Sequence, residues 1–175
     1  ANGGGFDPSI SAKGRIVAMA SDATNLVAGD TNAASDVFVR DRKKGTLKRI
    51  SVNSIGAEAT GGGCFDPAVS ANGRFVAFEA NAINLVPGDT NGTFDIFVHD
   101  RKKGKTTRVS VSSTGAQSDG DSWDAAISAS GRFVAFESTA TNLVADDTNV
   151  MRDVFVHDRK TGRTERVSIG PGGAQ

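Results

Sequence analysis

The pattern Phe-Val-(Arg/His)-Asp-Arg occurs three times, at Phe38–Arg42, Phe97–Arg101 and Phe155–Arg159, with offsets of 59 and 58 residues. This period constrains the fold more than any other feature, because a unit of that length cannot bury its apolar face alone and must stack on copies of itself. Surrounding motifs keep the same spacing. Gly14-Arg15 recurs as Gly73-Arg74 and Gly131-Arg132, and Asn25-Leu26-Val27 as Asn84-Leu85-Val86 and Asn142-Leu143-Val144. The 175 residues divide into 1–59, 60–117 and 118–175, and the second and third copies agree at 34 of 58 positions, as expected of recent amplification or deliberate design.

Each copy holds four short segments of strand character separated by turn chemistry. In the middle copy they are expected at Pro67–Ser70, Arg74–Glu79, Asp95–Asp100 and Thr106–Ser112. Asn72-Gly73 and Arg101-Lys102-Lys103-Gly104 are hairpin-length links with glycine where a positive φ is wanted, so each copy reads as an antiparallel meander. The first segment is built of small residues, the second (Phe75-Val76-Ala77-Phe78) and third (Ile96-Phe97-Val98) are apolar throughout, and the fourth alternates. Small near an axis, sandwiched in the middle and half-solvated at the rim is the radial pattern of a propeller blade.

Ser70-Ala71-Asn72-Gly73-Arg74-Phe75-Val76-Ala77-Phe78, Asp95-Ile96-Phe97-Val98-His99-Asp100 and Arg108-Val109-Ser110, with counterparts in the other copies, resemble the TolB-like, WD-type β-propeller repeat. The resemblance covers the chain three times over. It departs from the family pattern in two places: Ser-Ala-x-Gly stands where Ser-Pro-Asp-Gly is usual, and the link between second and third strands is longer. The expected fold class is all-β, with blades at 1–59, 60–117 and 118–175.

Three blades make an open arc, whereas propellers typically have four to eight. Because TolB-like propellers are generally six-bladed, the resemblance implies a ring-closing homodimer, the third blade of one chain against the first of another. A division into whole copies, each end stopping where the next blade would begin, favours this. The competing expectation is half of a longer propeller.

Charge sorts by position. The 20 Lys+Arg balance the 20 Asp+Glu, which removes the global basic field of a nucleic-acid or anionic-membrane binder. Of the basic residues, 18 lie in the hairpin turns or the adjoining starts of the second and fourth strands, all but Arg40 and Arg152, so one face is expected to be basic and the other acidic. No apolar run approaches the roughly 20 residues of a membrane span, and no signal-peptide pattern opens the chain, so a soluble molecule is expected.

The acidic links carry Asp-Thr-Asn followed by Asp four residues on: Asp30, Asn32, Asp36; Asp89, Asn91, Asp95; Asp147, Asn149, Asp153. Two readings stand. Alternating oxygen ligands suit calcium, although the EF-hand glycine and distal glutamate are missing; alternatively, Asp and Asn cap a turn through their own backbone. Asp41, Asp100 and Asp158 read as turn openers, His99 and His157 as packing near a blade interface, and Phe6, Phe65 and Trp123 as plugs between blades, with Trp123 also placed to stack on a sugar. Cys64 reads as a small residue in a glycine-rich linker.

No nucleophile elbow, phosphate loop or Ser/Cys–His pairing emerges, and near-identical repeats favour a binding array over an enzyme. The expected function is a non-enzymatic scaffold that closes a ring and presents its faces to a protein or glycan partner. The alternatives are a lectin-like or carbohydrate-active propeller, and an assembly-competent fragment or engineered unit with no ligand of its own. The resemblance leans towards a bacterial periplasmic or extracellular location.

Overall fold

A computed structural model describes residues 1–174; Gln175, the counterpart of Gln117, lies outside the described residues. The described residues form twelve strands: β1 (Gly5–Ile10), β2 (Ile16–Ser21), β3 (Asp36–Asp41), β4 (Thr46–Arg49), β5 (Cys64–Val69), β6 (Phe75–Ala80), β7 (Asp95–Asp100), β8 (Lys105–Arg108), β9 (Ser122–Ile127), β10 (Phe133–Ser138), β11 (Asp153–Asp158) and β12 (Arg163–Arg166). They form three antiparallel sheets in sequential order, β1-β2-β3-β4, β5-β6-β7-β8 and β9-β10-β11-β12. Among the described residues the only helical element is a 3₁₀ turn at Pro171–Gly173.

The hairpins form for local reasons. Between β1 and β2, and at the same place in the other sheets, the Ser11, Ser70 and Ser128 hydroxyls each accept the amide of the residue that opens the next strand, at 3.0 Å. Between β3 and β4, Asp41 Oδ1 accepts the Lys43 and Lys44 amides at 3.1 Å, and the Arg15 guanidinium closes on the same carboxylate at 2.9 and 2.6 Å. Asp100 with Arg74 and Asp158 with Arg132 repeat the arrangement.

The core lies between sheets. One cluster joins the first and second sheets through Val37, Val39, Ile50, Val76, Phe78 and Phe97; a second joins the second and third through Ile96, Val98, Val109, Val134, Phe136 and Phe155. Gly73 and Gly131 make the junctions possible. Each has a positive φ, and an added Cβ would stand 2.4 Å from Ile16 Cγ1 or 2.2 Å from Phe75 Cδ2 of the preceding sheet.

Three expectations need correction. The fourth strand ends at Arg108 rather than Ser112, and its alternation fails beyond that point: Ser110 is buried because its hydroxyl donates to Asp95 at 2.5 Å. The first strand runs from Cys64 instead of Pro67, through a register shift between Phe65 and Ala68 that recurs in β1 and β9. Cys64 itself is a fully buried core residue, not part of a linker.

Candidate functional site

Two constellations recur on the links between second and third strands and on the inner strands. In the first, Arg49, Arg108 and Arg166 stand at the far ends of β4, β8 and β12, away from the hairpin turns. The Arg49 guanidinium lies 3.2 Å from Asp30, 3.0 Å from Asp36 and 2.9 Å from Glu58. Arg108 lies 3.1 and 3.0 Å from Asp89 and Asp95, and Arg166 2.9 and 3.1 Å from Asp147 and Asp153. These arginines count with the basic face in sequence, yet they neutralise acidic links from inside. A four-residue strand carries its last side chain the full depth of the sheet.

The structure thus brings together each Asp-x-Asn-x-x-x-Asp set. Asn32 donates through Nδ2 to Asp36 and to the Ala59 carbonyl, both at 3.0 Å, while its Oδ1 accepts the Ala34 amide. Asn91 donates likewise to Asp95 and the Ser118 carbonyl, and Asn149 donates to Asp153 at 3.1 Å. The asparagines therefore present N–H to the carboxylates. Asp95 also accepts from Ser118 at 2.9 Å, which ties the cage to the next repeat. Burial, and then the neighbouring Asp36 carboxylate, raise the Asp30 pKa; burial raises that of Asp89. Among the described residues no three His, Cys, Asp or Glu side chains are grouped to hold a metal ion.

The second constellation is axial. Asp7, Asp66 and Asp124 take φ values of 49°, 45° and 53° at the strand irregularities and, with Pro8, Pro67 and Ala125, line a depression of about 300 Å³. Left-handed backbone at a non-glycine residue is strained, and Asp tolerates it better than most. Glu79 Oε2 accepts the Asp124 amide at 3.2 Å. Burial, opposed by that amide and reinforced by the Asp66 and Asp124 carboxylates, pushes the Glu79 pKa up to about 7. Asp66 is raised by burial and then by Asp7. Glu79 can thus hold a proton near neutrality. Repeat motifs do not reveal Glu79, whose role depends on Asp124 of the next repeat, nor the arginines, which sequence proximity places with the hairpin face.

The remaining candidates have structural partners. His99 and His157 are buried against Thr106 and Thr164, and burial lowers both pKa values. Trp123 is covered by the Arg152 guanidinium 4.7 Å from its ring, and Phe65 meets Phe94 at 6.3 Å. Burial raises the Cys64 thiol pKa, which leaves it inert.

No protein-family model matches the chain, and no curated protein matches it in sequence. Among solved structures, TolB from Acinetobacter baumannii matches 98% of this chain and 34% of its own, at 17% identity and TM-score 0.58. A putative TolB from Agrobacterium tumefaciens matches 93% and 48%, at 17% identity and TM-score 0.58. The β-propeller domain of the Trilobed protease from Pyrococcus furiosus matches 94% and 42%, at 12% identity and TM-score 0.59. The chain spans about a third to a half of these proteins. Its three sheets have the blade architecture of β-propellers, TolB among them.

Proposed function

We propose that the protein is a non-enzymatic propeller scaffold that closes a six-bladed ring with a second copy of itself and presents the ring's faces to a partner. The carrying observation is that repeat positions buried between sheets are exposed on the two end sheets. Val167 is 47% exposed where Val109 and Ile50 are 1% and 3%, and Phe133 is 40% exposed where Ile16 is 5%. Ile10, on the opposite end, is 59% exposed where Val69 is 9%.

The unpaired residues complement one another. Ile16 receives Gly73, and Phe75 receives Gly131 with the Arg159 guanidinium 4.5 Å above its ring, which leaves Phe133 for Gly14 and Arg42 of a second chain. At the internal junctions the Thr106 and Thr164 amides donate to the Ser54 and Ser113 hydroxyls at 3.2 and 3.0 Å. By repeat position, Leu47 stands in place of those threonines and Pro171 in place of those serines. In the proposed closing junction the serine hydroxyl that accepts this amide is replaced by a proline ring facing Leu47. Exposed apolar patches of this kind mark association surfaces.

On the same reading the three cages are arginine locks that fasten each long link to its blade, with the guanidinium in the role considered for calcium. Recurrence of the arginine cages in all three blades supports a scaffold over an enzyme, and the motif resemblance supports an extracytoplasmic location.

Sedimentation velocity tests the assembly. Phe133→Asp and Val167→Asp, both on the end face, are expected to shift the protein to the monomer, while Ile55→Asp, 90% exposed and away from the junction, leaves association unchanged. Unaltered sedimentation of the end-face variants would overturn the proposal.

A further inference from the structure

Between the first and second sheets, on the hairpin side, lies a groove of about 870 Å³ with Ala12, Ile16, Ala71 and Gly73 among its lining residues. Its size falls within the range of ligand sites. Lys13, Arg15, Lys44, Arg74, Arg101 and Lys102 also line it, against the single carboxylate of Asp41. The groove opens here because Ile16 stands at the place that Phe75 fills in the next junction, where the larger ring lies beneath Arg159.

The cations divide into two kinds. Arg15 and Arg74 are held bidentate by Asp41 and Asp100, and Arg101 donates to the Gly73 carbonyl, so three guanidinium groups are fixed in place. Lys13, Lys44 and Lys102 are exposed and in no ion pair among the described residues. They leave an excess of positive charge on one mouth of a molecule whose net charge is zero.

We infer that this groove binds an acidic oligosaccharide, its carboxylates on the three lysines and its hydroxyls on Asn72. Three features select that class. Small and aliphatic side chains present an apolar surface to the carbon face of a sugar ring. The exposed Asn72 side-chain amide on the groove wall is placed to bond sugar hydroxyls. No aromatic side chain lines the groove, whereas single-stranded nucleic acid binds by stacking its bases. The inference deepens the scaffold reading and rests on it, but not on ring closure, since both walls belong to one chain.

Isothermal titration of the full chain with tetragalacturonate at about 50 mM salt tests it. Binding is expected that weakens at least tenfold by about 200 mM salt, as counterion release requires, while neutral tetragalactose gives no heat. The Lys13→Glu, Lys44→Glu and Lys102→Glu triple variant, whose melting temperature verifies folding, is expected to lose at least tenfold in affinity. Absence of binding by the wild-type chain, unchanged affinity in a folded triple variant, or equal binding of oligoglutamate or oligothymidylate of matched charge would each overturn the inference. Light scattering on the same sample reports ring closure separately, so the two readings fail independently.

Discussion

Replacing Arg108 by methionine isolates the energetics of an arginine lock. The guanidinium sits 3.1 Å from Asp89 and 3.0 Å from Asp95, with the three side chains 10%, 6% and 0% exposed. At such distances and an effective dielectric of about 20, each contact contributes about 5 kcal/mol of Coulomb attraction, and desolvation of the three groups opposes most of it. Removing the cation leaves two buried carboxylates facing each other, a loss of about 3–5 kcal/mol. Asp95 keeps Asn91, Ser110 and Ser118 as donors, which places the expected loss at the lower end of that range. For a chain of this size, that corresponds to a fall in melting temperature of about 6–12 °C. The assay is urea and thermal unfolding at fixed protein concentration, because association contributes to apparent stability. Arg163→Met is the control: its pair with Glu165 is 73% and 50% exposed, and the expected change is within about 0.5 kcal/mol. Adding Asp89→Asn to Arg108→Met should recover at least about 1 kcal/mol by removing the repulsion. Equal losses in Arg108→Met and Arg163→Met would refute the buried-lock argument.

The locks also predict that calcium titrated into chelator-treated protein gives no heat and no rise in melting temperature; either signal would return the cages to the calcium reading. Glu79 has a raised folded-state pKa of about 7 against an ordinary 4.5, so the native state binds the extra proton between those values. Stability is therefore full below about pH 4.5 in this contribution and falls by about 1–2 kcal/mol as pH rises through 7, after discounting for solvent screening. Glu79→Gln should flatten that slope in urea titrations at several pH values. Cys64 should remain unmodified by a thiol reagent in native buffer and react at the unfolding rate in denaturant, since burial suppresses its thiolate.

The radial order of the strands was legible because burial on two faces writes apolar residues at consecutive positions, as in Phe75–Phe78 and Ile96–Val98, and the structure buries nearly all of them. Turn glycines were legible for a comparable local reason. The site was less so. Arg49, Arg108 and Arg166 lie next to hairpin residues in sequence, and only the run of a complete strand carries them to the other end of the sheet. Glu79 and Asp124 are 45 residues apart and meet across a blade junction. The early end of β8 follows from Ser110, whose alternation pattern is polar but whose hydroxyl is taken inward by Asp95. Spacing within a repeat encodes the blade, whereas contacts between repeats depend on how the blades stack.

Ring closure is tested most directly by the molar mass of the unmodified chain in solution. Light scattering across a concentration series is predicted to give twice 18.0 kDa, with dissociation only on dilution. A monodisperse species of 18.0 kDa at all concentrations would contradict it.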